Sequence, residues 1–270
     1  MPEGDTVWRA ARRLDRALTG AVLTGSDFRV PRLATSDVTG AEVLGTVSRG
    51  KHLLTRFAPS AGVPLTLHTH LKMEGVWHVH RPGSRWRRPT HEARVVLTTA
   101  DWQAVGFALG IVALVPTSEE PDVVGHLGPD LLGEDWDEDE ALRRMSSDPD
   151  RTIGEVLLDQ TCLAGVGSVY RSELCFTSGV HPRTPVAAVP DLRRLVRRAR
   201  QMLDLNKDRN QRATTGELGP GRRLWVYGRG SRPCLRCGTR VREEQLGETG
   251  RERVSYWCPS CQPADSSAES

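Results

Sequence analysis

No stretch of this 270-residue chain comes near the roughly 18 consecutive apolar residues that a membrane-spanning helix needs. The opening segment MPEGDTVWRAARR also lacks the apolar core of a secretory signal. These absences set aside membrane and export classes and make a soluble, cytoplasmic protein with no membrane partner the expectation. No internal repeat is visible, which excludes solenoids and propellers. Net charge is nearly missing too: 37 Lys and Arg against 34 Asp and Glu leave +3, too little to name a partner. Only six cysteines occur, few for a disulfide-stapled scaffold.

The charge that is present is unevenly spread. Residues 119–150 carry 12 acids and 2 arginines, whereas residues 193–242 carry 15 Lys or Arg and 3 acids. An acidic connector therefore precedes a basic carboxyl-terminal half, which is compatible with nucleic acid and equally with a solvated surface.

Apolar periodicity divides the chain. Val7, Trp8, Ala11, Leu14 and Leu18 recur at helical spacing behind Asp5 and Thr6, either of which is a capping residue type. From Gly20 the pattern changes to short alternating runs: AVLTGSDFRV, GTVSRGKHLLTRF, PLTLHTHL, GVWHVH, EARVVLTTA and FALGIVALVP. Several strands in series predict a sandwich or barrel. Beyond the acidic stretch, GEVLLDQTCL, SVYRSELCF and a basic segment from Asp191 to Leu205 read as helices. The expected fold is α+β and multidomain: a β-rich domain over 1–118, an acidic linker and the start of the helical domain over 119–150, the helical domain proper over 151–224, a metal-binding finger over 225–262 and a disordered tail over 263–270.

The strongest local signal is Cys234, Cys237, Cys258 and Cys261, spaced C-x2-C-x20-C-x2-C. Two short thiolate knuckles close a tetrahedral zinc site, and four protein ligands leave no open position, so one structural Zn2+ is expected. Between the knuckles, polar and apolar residues alternate about a Gly-containing turn, as in a hairpin whose tip presents Arg251 and Arg253. Either arginine suits a phosphate contact or a solvated surface. Cys162 and Cys175 lie among apolar helix residues and read as core.

LAGVGSVYRSE places a tight glycine link before a helix, where backbone N–H groups approach an anion closely. Gly167 and Ser168 are the candidate contacts. At the other end of the chain, loss of Met1 would expose Pro2 as a secondary amine. Alpha-amino groups have pKa values of roughly 8, so part of such an amine is unprotonated near neutrality. Attack on a sugar C1′ would give an iminium electron sink, and Glu3 beside it is a candidate general acid; many proteins begin Met-Pro-Glu with no such role, and these three residues alone leave both readings open.

Taken together, MPEGDTVWRAARRL, SRGKHLL, HLKMEGVW, HLGPDLL, LLDQTCLAGVGSVYRSELCF and YWCPSCQ resemble the formamidopyrimidine-DNA glycosylase and endonuclease VIII family, from Pro2 to Gln262. The resemblance implies an amino-terminal β-sandwich with a leading helix, a helix-two-turn-helix domain and an antiparallel zinc finger, with damaged DNA gripped between them. It implies a bifunctional DNA glycosylase and AP lyase of base excision repair, cutting by β,δ-elimination through a Pro2 Schiff base. A noncatalytic or lyase-only binder of abasic DNA is the alternative.

By the same resemblance Pro2 is the nucleophile and Glu3 the catalytic carboxylate, while Lys51 and Arg253 hold the phosphate backbone. Met73 fills the hole left by the extruded base, flanked by Lys72 and Glu74, although a methionine in a strand-rich domain also suits a core. Glu173 corresponds to a glutamate near the active-site entrance. Two departures stand out: Thr6 replaces a frequent second glutamate, and Ser168 replaces an asparagine, a change that would cost about 1 kcal/mol of phosphate binding. The opening MPEGD, the closing YWCPSCQ and the missing DPRRFG-type segment lean towards the endonuclease VIII branch and oxidised pyrimidines. A monomer is the default.

Overall fold

A computed structural model of the chain describes residues 2–247 and 252–264. Arg251, Met1 and most of the expected disordered tail lie outside the described residues. Two compact units emerge, Met1–His126 and Leu127–Ser270.

The first unit opens with α1 (Gly4–Leu18). Its capping residue is Glu3, extended at φ −127° and with no side-chain cap. The helix therefore starts earlier than the Asp5 or Thr6 cap read from the sequence. Asp5 is itself buried in the first turn, where a carboxylate favours the positive end of the helix dipole.

Eight strands follow: β1 (Gly25–Phe28), β2 (Glu42–Arg49), β3 (His52–Ala58), β4 (Leu65–His70), β5 (Val76–His80), β6 (Ala93–Thr98), β7 (Gln103–Phe107) and β8 (Ile111–Pro116). They form two four-stranded antiparallel sheets, ordered β1-β6-β7-β5 and β2-β3-β4-β8. Leu53, Phe57, Leu67, Trp77, Val95 and Leu97 fill the space between them. α1 packs on β2 and β5, an edge strand of each sheet. Val7, Ala11, Leu14 and Leu18 enter the same core; burying each Val or Leu contributes roughly 1.5–3 kcal/mol.

The run FALGIVALVP, expected as one strand, is two. Ala108 takes φ 47° and the chain turns at 108–110 from β7 into β8. β7 itself pairs with both β5 and β6. A continuous apolar run hides such a turn because apolar residues continue through it without a polar break.

The second unit holds α2's successors in chain order: α2 (Glu120–Val124) ends the first unit, and α3 (Glu138–Met145), α4 (Ile153–Val156), α5 (Ser168–Ser178) and α6 (Leu192–Asn206) belong to the second. Asp137 caps α3 by accepting from Glu140 N (2.9 Å), and Asp191 caps α6 by accepting from Arg194 N (2.8 Å). Thr152 and Glu155 close a reciprocal capping box on α4. α4 is only one turn long, shorter than the helix expected from GEVLLDQTCL, and the chain continues through turns to Gly165. Leu131, Ala141 and Met145 from the acidic stretch join Val156, Leu163, Tyr170, Leu174 and Leu203 in one core. Cys162 and Cys175 are buried, as expected of core thiols.

The acidic and basic stretches partly cancel. Arg193 contacts Glu138 (2.6 Å) and Asp139 (2.8 Å), and Arg197 contacts Glu138 (2.9 Å). These pairs tie α6 to α3, so part of the basic run answers an acid within the unit. The unit ends in an antiparallel pair, β9 (Arg242–Leu246) and β10 (Arg253–Trp257), with Arg253 opposite Leu246.

Candidate DNA-processing site

In the first unit, Pro2 is half-buried and Glu3 is fully buried at the head of α1. The Glu3 carbonyl accepts from Thr6 N (2.9 Å) and Val7 N (3.0 Å). Chain ends ordinarily fray; here the core-packed face of α1 holds residues 2 and 3 in one place. Thr6, at the departure from the family pattern, donates to Asp5 Oδ1 (3.3 Å).

Lys51 occupies the second position of the two-residue turn between β2 and β3, closed by the Arg49–His52 pair. Its predecessor, Gly50, has φ 57°, a conformation that glycine adopts at no steric cost. The Lys72–Glu74 segment sits on a tight turn between β4 and β5. Gly75 N donates to Leu71 O (2.8 Å), and Lys72 takes φ 51°. A Cβ on Gly75 would lie 2.4 Å from Leu71 O, and one on Gly110 would lie 2.2 Å from Lys72 Cγ. Both glycines thus make room for this turn. Met73 stands at its tip, 62% exposed, which rules out the core role open to a methionine in the sequence. Glu74 and Lys72 are exposed beside it.

A histidine cluster adjoins Lys51 and Lys72 and was not singled out from the sequence. His52 Nδ1 and His68 Nε2 share a hydrogen bond (2.8 Å), and the His52 and His70 rings lie 4.9 Å apart, edge to face. Burial, followed by neighbouring His70, His68, His126 and Lys72, pushes His52 down to about 3. Burial, then Lys72, Lys51 and His68, pushes His70 down to about 4. Both rings are therefore neutral near pH 7. Lys72 N donates to His70 Nδ1 (2.9 Å), which leaves the His70 proton on Nε2. The alternation of His52, His68 and His70 along paired strands was the available signal; reading it needed the β3–β4 register.

In the second unit, Gly165 takes φ 113° and Gly167, extended at φ −129°, caps α5. Ser168 is 3% exposed and its carbonyl accepts from Ser172 Oγ (3.1 Å). It offers almost no hydroxyl surface, in contrast to the phosphate contact expected of it. Arg253 is exposed at the start of β10. Beneath it the buried Arg171 donates from Nη2 to the carbonyls of Arg253 (3.0 Å) and Val254 (2.8 Å). This anchor from α5 was not singled out from the sequence, because its partners lie more than 80 residues away along the chain.

Glu173 requires a correction. It is fully buried and does not stand at an entrance. Its Oε1 accepts from Val226 N and Tyr227 N (both 2.9 Å), and its Oε2 accepts from Trp225 N (2.8 Å) and the Thr214 hydroxyl. Burial pushes the carboxyl up while these four donors pull the other way. The group is a staple for the loop that leads into the cysteine cluster.

The four cysteine sulfurs lie within 4.8 Å of one another, with Cys237 3.4 Å from Cys258 and 3.5 Å from Cys261. Ligands 2.3 Å from a tetrahedral metal stand about 3.8 Å apart, so Cys234, Cys237, Cys258 and Cys261 fit a metal ion. Arg236 N points at Cys234 Sγ (3.4 Å) and Gly238 takes φ 80°, as a thiolate knuckle requires. Gln262, fully buried, joins Cys258 N (2.9 Å) to Val180 O (2.8 Å) and fastens the cluster to the end of α5.

Residues 1–108 match the formamidopyrimidine-DNA glycosylase N-terminal domain, and residues 127–213 match the H2TH domain of the same enzymes. The chain belongs to the formamidopyrimidine-DNA glycosylase family. "Probable endonuclease 8 2" of Streptomyces coelicolor is 56% identical over 265 residues, covering 97% of this chain and 94% of that protein. "DNA-(apurinic or apyrimidinic site) lyase Nei2" of Mycolicibacterium smegmatis is 49% identical over 264 residues, covering 98% of this chain and all of that protein. The Lactococcus lactis Fpg in complex with DNA containing an abasic site has the same fold, with a TM-score of 0.79 at 22% identity over 97% of this chain and all of that one. This glycosylase family combines base excision with AP lyase chemistry in base excision repair, and the two relatives named here are called an endonuclease 8 and an AP-site lyase. The noncatalytic alternative finds no support among them.

Proposed function

We propose that this chain excises oxidised bases, pyrimidines foremost, from DNA and then cuts the strand through a covalent intermediate on Pro2. The observation that carries the reading is the placement of Pro2 and Glu3 at the head of α1, held by the core-packed face of that helix. Removal of Met1 frees the Pro2 nitrogen, and the positive end of the α1 dipole favours its uncharged form over the ammonium.

In the proposed reaction the Pro2 nitrogen attacks C1′ and the base departs with its bonding electrons. Glu3 delivers a proton to the ring oxygen as the sugar opens, giving a cationic iminium. Loss of the C2′ proton then expels the 3′ phosphate, and a second elimination expels the 5′ phosphate. Water finally releases Pro2. Lys51 in the first unit and Arg253 in the second supply cations for phosphates, and Met73 fills the gap left by the extruded nucleotide, flanked by Lys72 and Glu74. The glycine turn at Gly167 and Ser168 adds at most a backbone contact, given the burial of the serine.

Four thiolates select Zn2+ among common ions, and a zinc bound there would be structural, holding β9 and β10 and through them Arg253. We also assign 225–262 to a finger module and 151–224 to the helical module, with 119–150 joining them to the sandwich at 1–118. A monomer in the cytoplasm, associated with DNA, completes the reading. The test is borohydride trapping on an oligonucleotide with one abasic site, followed by peptide mass spectrometry. An adduct on Pro2 supports the mechanism; an adduct on a lysine, or none while DNA still binds, contradicts it.

A further inference from the structure

Between β5 and β6 the loop 84–90, with sequence SRWRRPT, folds over the outer face of the first sheet and lines a hollow of roughly 630 Å³. Its shape is fixed from below. Trp86 packs edge to face on Phe107 (ring centroids 5.7 Å apart), its Nε1 donates to Gln103 Oε1 (2.8 Å), and Arg29 stacks on its ring at 5.3 Å. Arg88 is committed twice, to the Glu92 carboxylate (Nε, 2.6 Å) and to the Glu74 carbonyl (Nη1, 3.0 Å). Arg85 and Arg87 are different: both are exposed, and among the described residues neither has an ion pair or hydrogen bond. Burial first, and then the cations Arg13, Arg88 and Arg87, lower His78 on the neighbouring strand β5, so the loop adds positive charge to this face of the sheet.

We propose that Arg85 and Arg87 form a second phosphate-binding site, which takes the DNA backbone on the duplex arm next to the turn that carries Met73. The inference rests on the DNA-processing reading above. Three observations favour nucleic acid over another polyanion. The loop is continuous with the Met73 turn, because Arg88 grips the Glu74 carbonyl directly. The free groups are two guanidiniums, whose planar forks match phosphate oxygens bidentately. Their Cα atoms, two residues apart, lie at most about 7 Å from each other, a reach that suits two adjacent phosphates of one strand, which rise about 3.4 Å along the axis and are further apart along the backbone. Trp86 is occupied in the sheet face and is not a base-stacking platform, so the site reads backbone and carries no sequence preference.

The experiment compares the full-length protein with the R85A/R87A variant on a duplex carrying a reduced abasic analogue, by equilibrium binding from 0.05 to 0.2 M salt. Each phosphate contact contributes about 0.9 to the slope of log affinity against log salt, so the variant's slope is shallower by about 1.8. The ratio of wild-type to variant affinity is then about twelvefold larger at 0.05 M than at 0.2 M salt. Shortening one arm of the duplex abolishes the difference between the two proteins, whereas shortening the other preserves it. Equal slopes for wild type and variant overturn the proposal, as does a difference that survives shortening of either arm. Lys51→Ala measured alongside separates the two ideas. If Lys51→Ala weakens binding and R85A/R87A does not, only the second site falls; if the wild type shows no salt-dependent binding, the DNA reading falls with it.

Discussion

Replacing Glu173 with Gln tests whether this residue is a buried staple or a member of the reacting centre. Its two oxygens receive three backbone N–H groups and the Thr214 hydroxyl. A glutamine offers one acceptor oxygen. If that oxygen keeps Val226 N and Tyr227 N, the new NH2 faces Trp225 N, a donor against a donor, while the Thr214 hydroxyl can rotate to accept. One backbone N–H is left without its acceptor in a fully buried site, at a cost of about 1–3 kcal/mol. The count is the same whether the native carboxyl is ionised or protonated. Taking about 2 kcal/mol, and about 3–5 °C per kcal/mol for a unit of some 140 residues, the transition of the second unit falls by roughly 6–10 °C. Differential scanning calorimetry reads this directly, with the first unit's transition unmoved. Pro2 adduct formation at saturating protein and low temperature stays near wild type. A variant with an unchanged melting profile and abolished adduct formation would refute the staple and return Glu173 to the chemistry.

Three further outcomes follow from the geometry. Met73→Ala, at an exposed tip, weakens excision from duplex by roughly 5–30-fold, or about 1–2 kcal/mol, because the extruded base leaves an unfilled gap; excision from single-stranded substrate is unchanged, and equal losses on both would count against intercalation. Chelation of the metal, or Cys258→Ser, lowers DNA binding far more than it lowers the melting temperature of the β-sandwich; simultaneous collapse of both units in calorimetry contradicts a local structural zinc. His52 and His70 are held neutral down to about 3 and about 4, below the ordinary imidazole value near 6.5. The unfolded chain therefore binds more protons below pH 6.5, and stability fully present above that pH is lost as pH falls towards 4. The sandwich transition drops between pH 7 and pH 5, and it drops less in His52→Asn; identical slopes would dismiss the cluster as the cause.

What could be read without coordinates was whatever depends on spacing along the chain. The C-x2-C pairs, the 3.6-residue stripe from Val7 to Leu18 and the Asp191 start of the basic helix are local patterns, and α1, α6 and the cysteine cluster stand where those patterns put them. Motif order was enough to identify the family. What could not be read depends on pairing across the chain. The β7–β8 turn at Ala108 is invisible inside a run that is apolar on both faces. The roles of Arg171 and Glu173 are set by backbone groups about 50–80 residues away, which nothing in YRSE itself reveals. Arg193 and Arg197 look like a DNA-binding face until Glu138 and Asp139 are placed beside them. Long-range hydrogen bonds, not composition, decide whether a charge faces solvent, a phosphate or the chain itself.

If the Pro2 amine is the nucleophile, the most direct measurement is single-turnover strand cleavage by a semisynthetic chain whose Pro2 nitrogen is acetylated. An amide nitrogen cannot form the iminium, so no cleavage and no borohydride-trapped adduct are expected, with binding to the abasic-analogue duplex retained. Cleavage at the rate of the unblocked chain would contradict that role and move the search for the nucleophile to another residue.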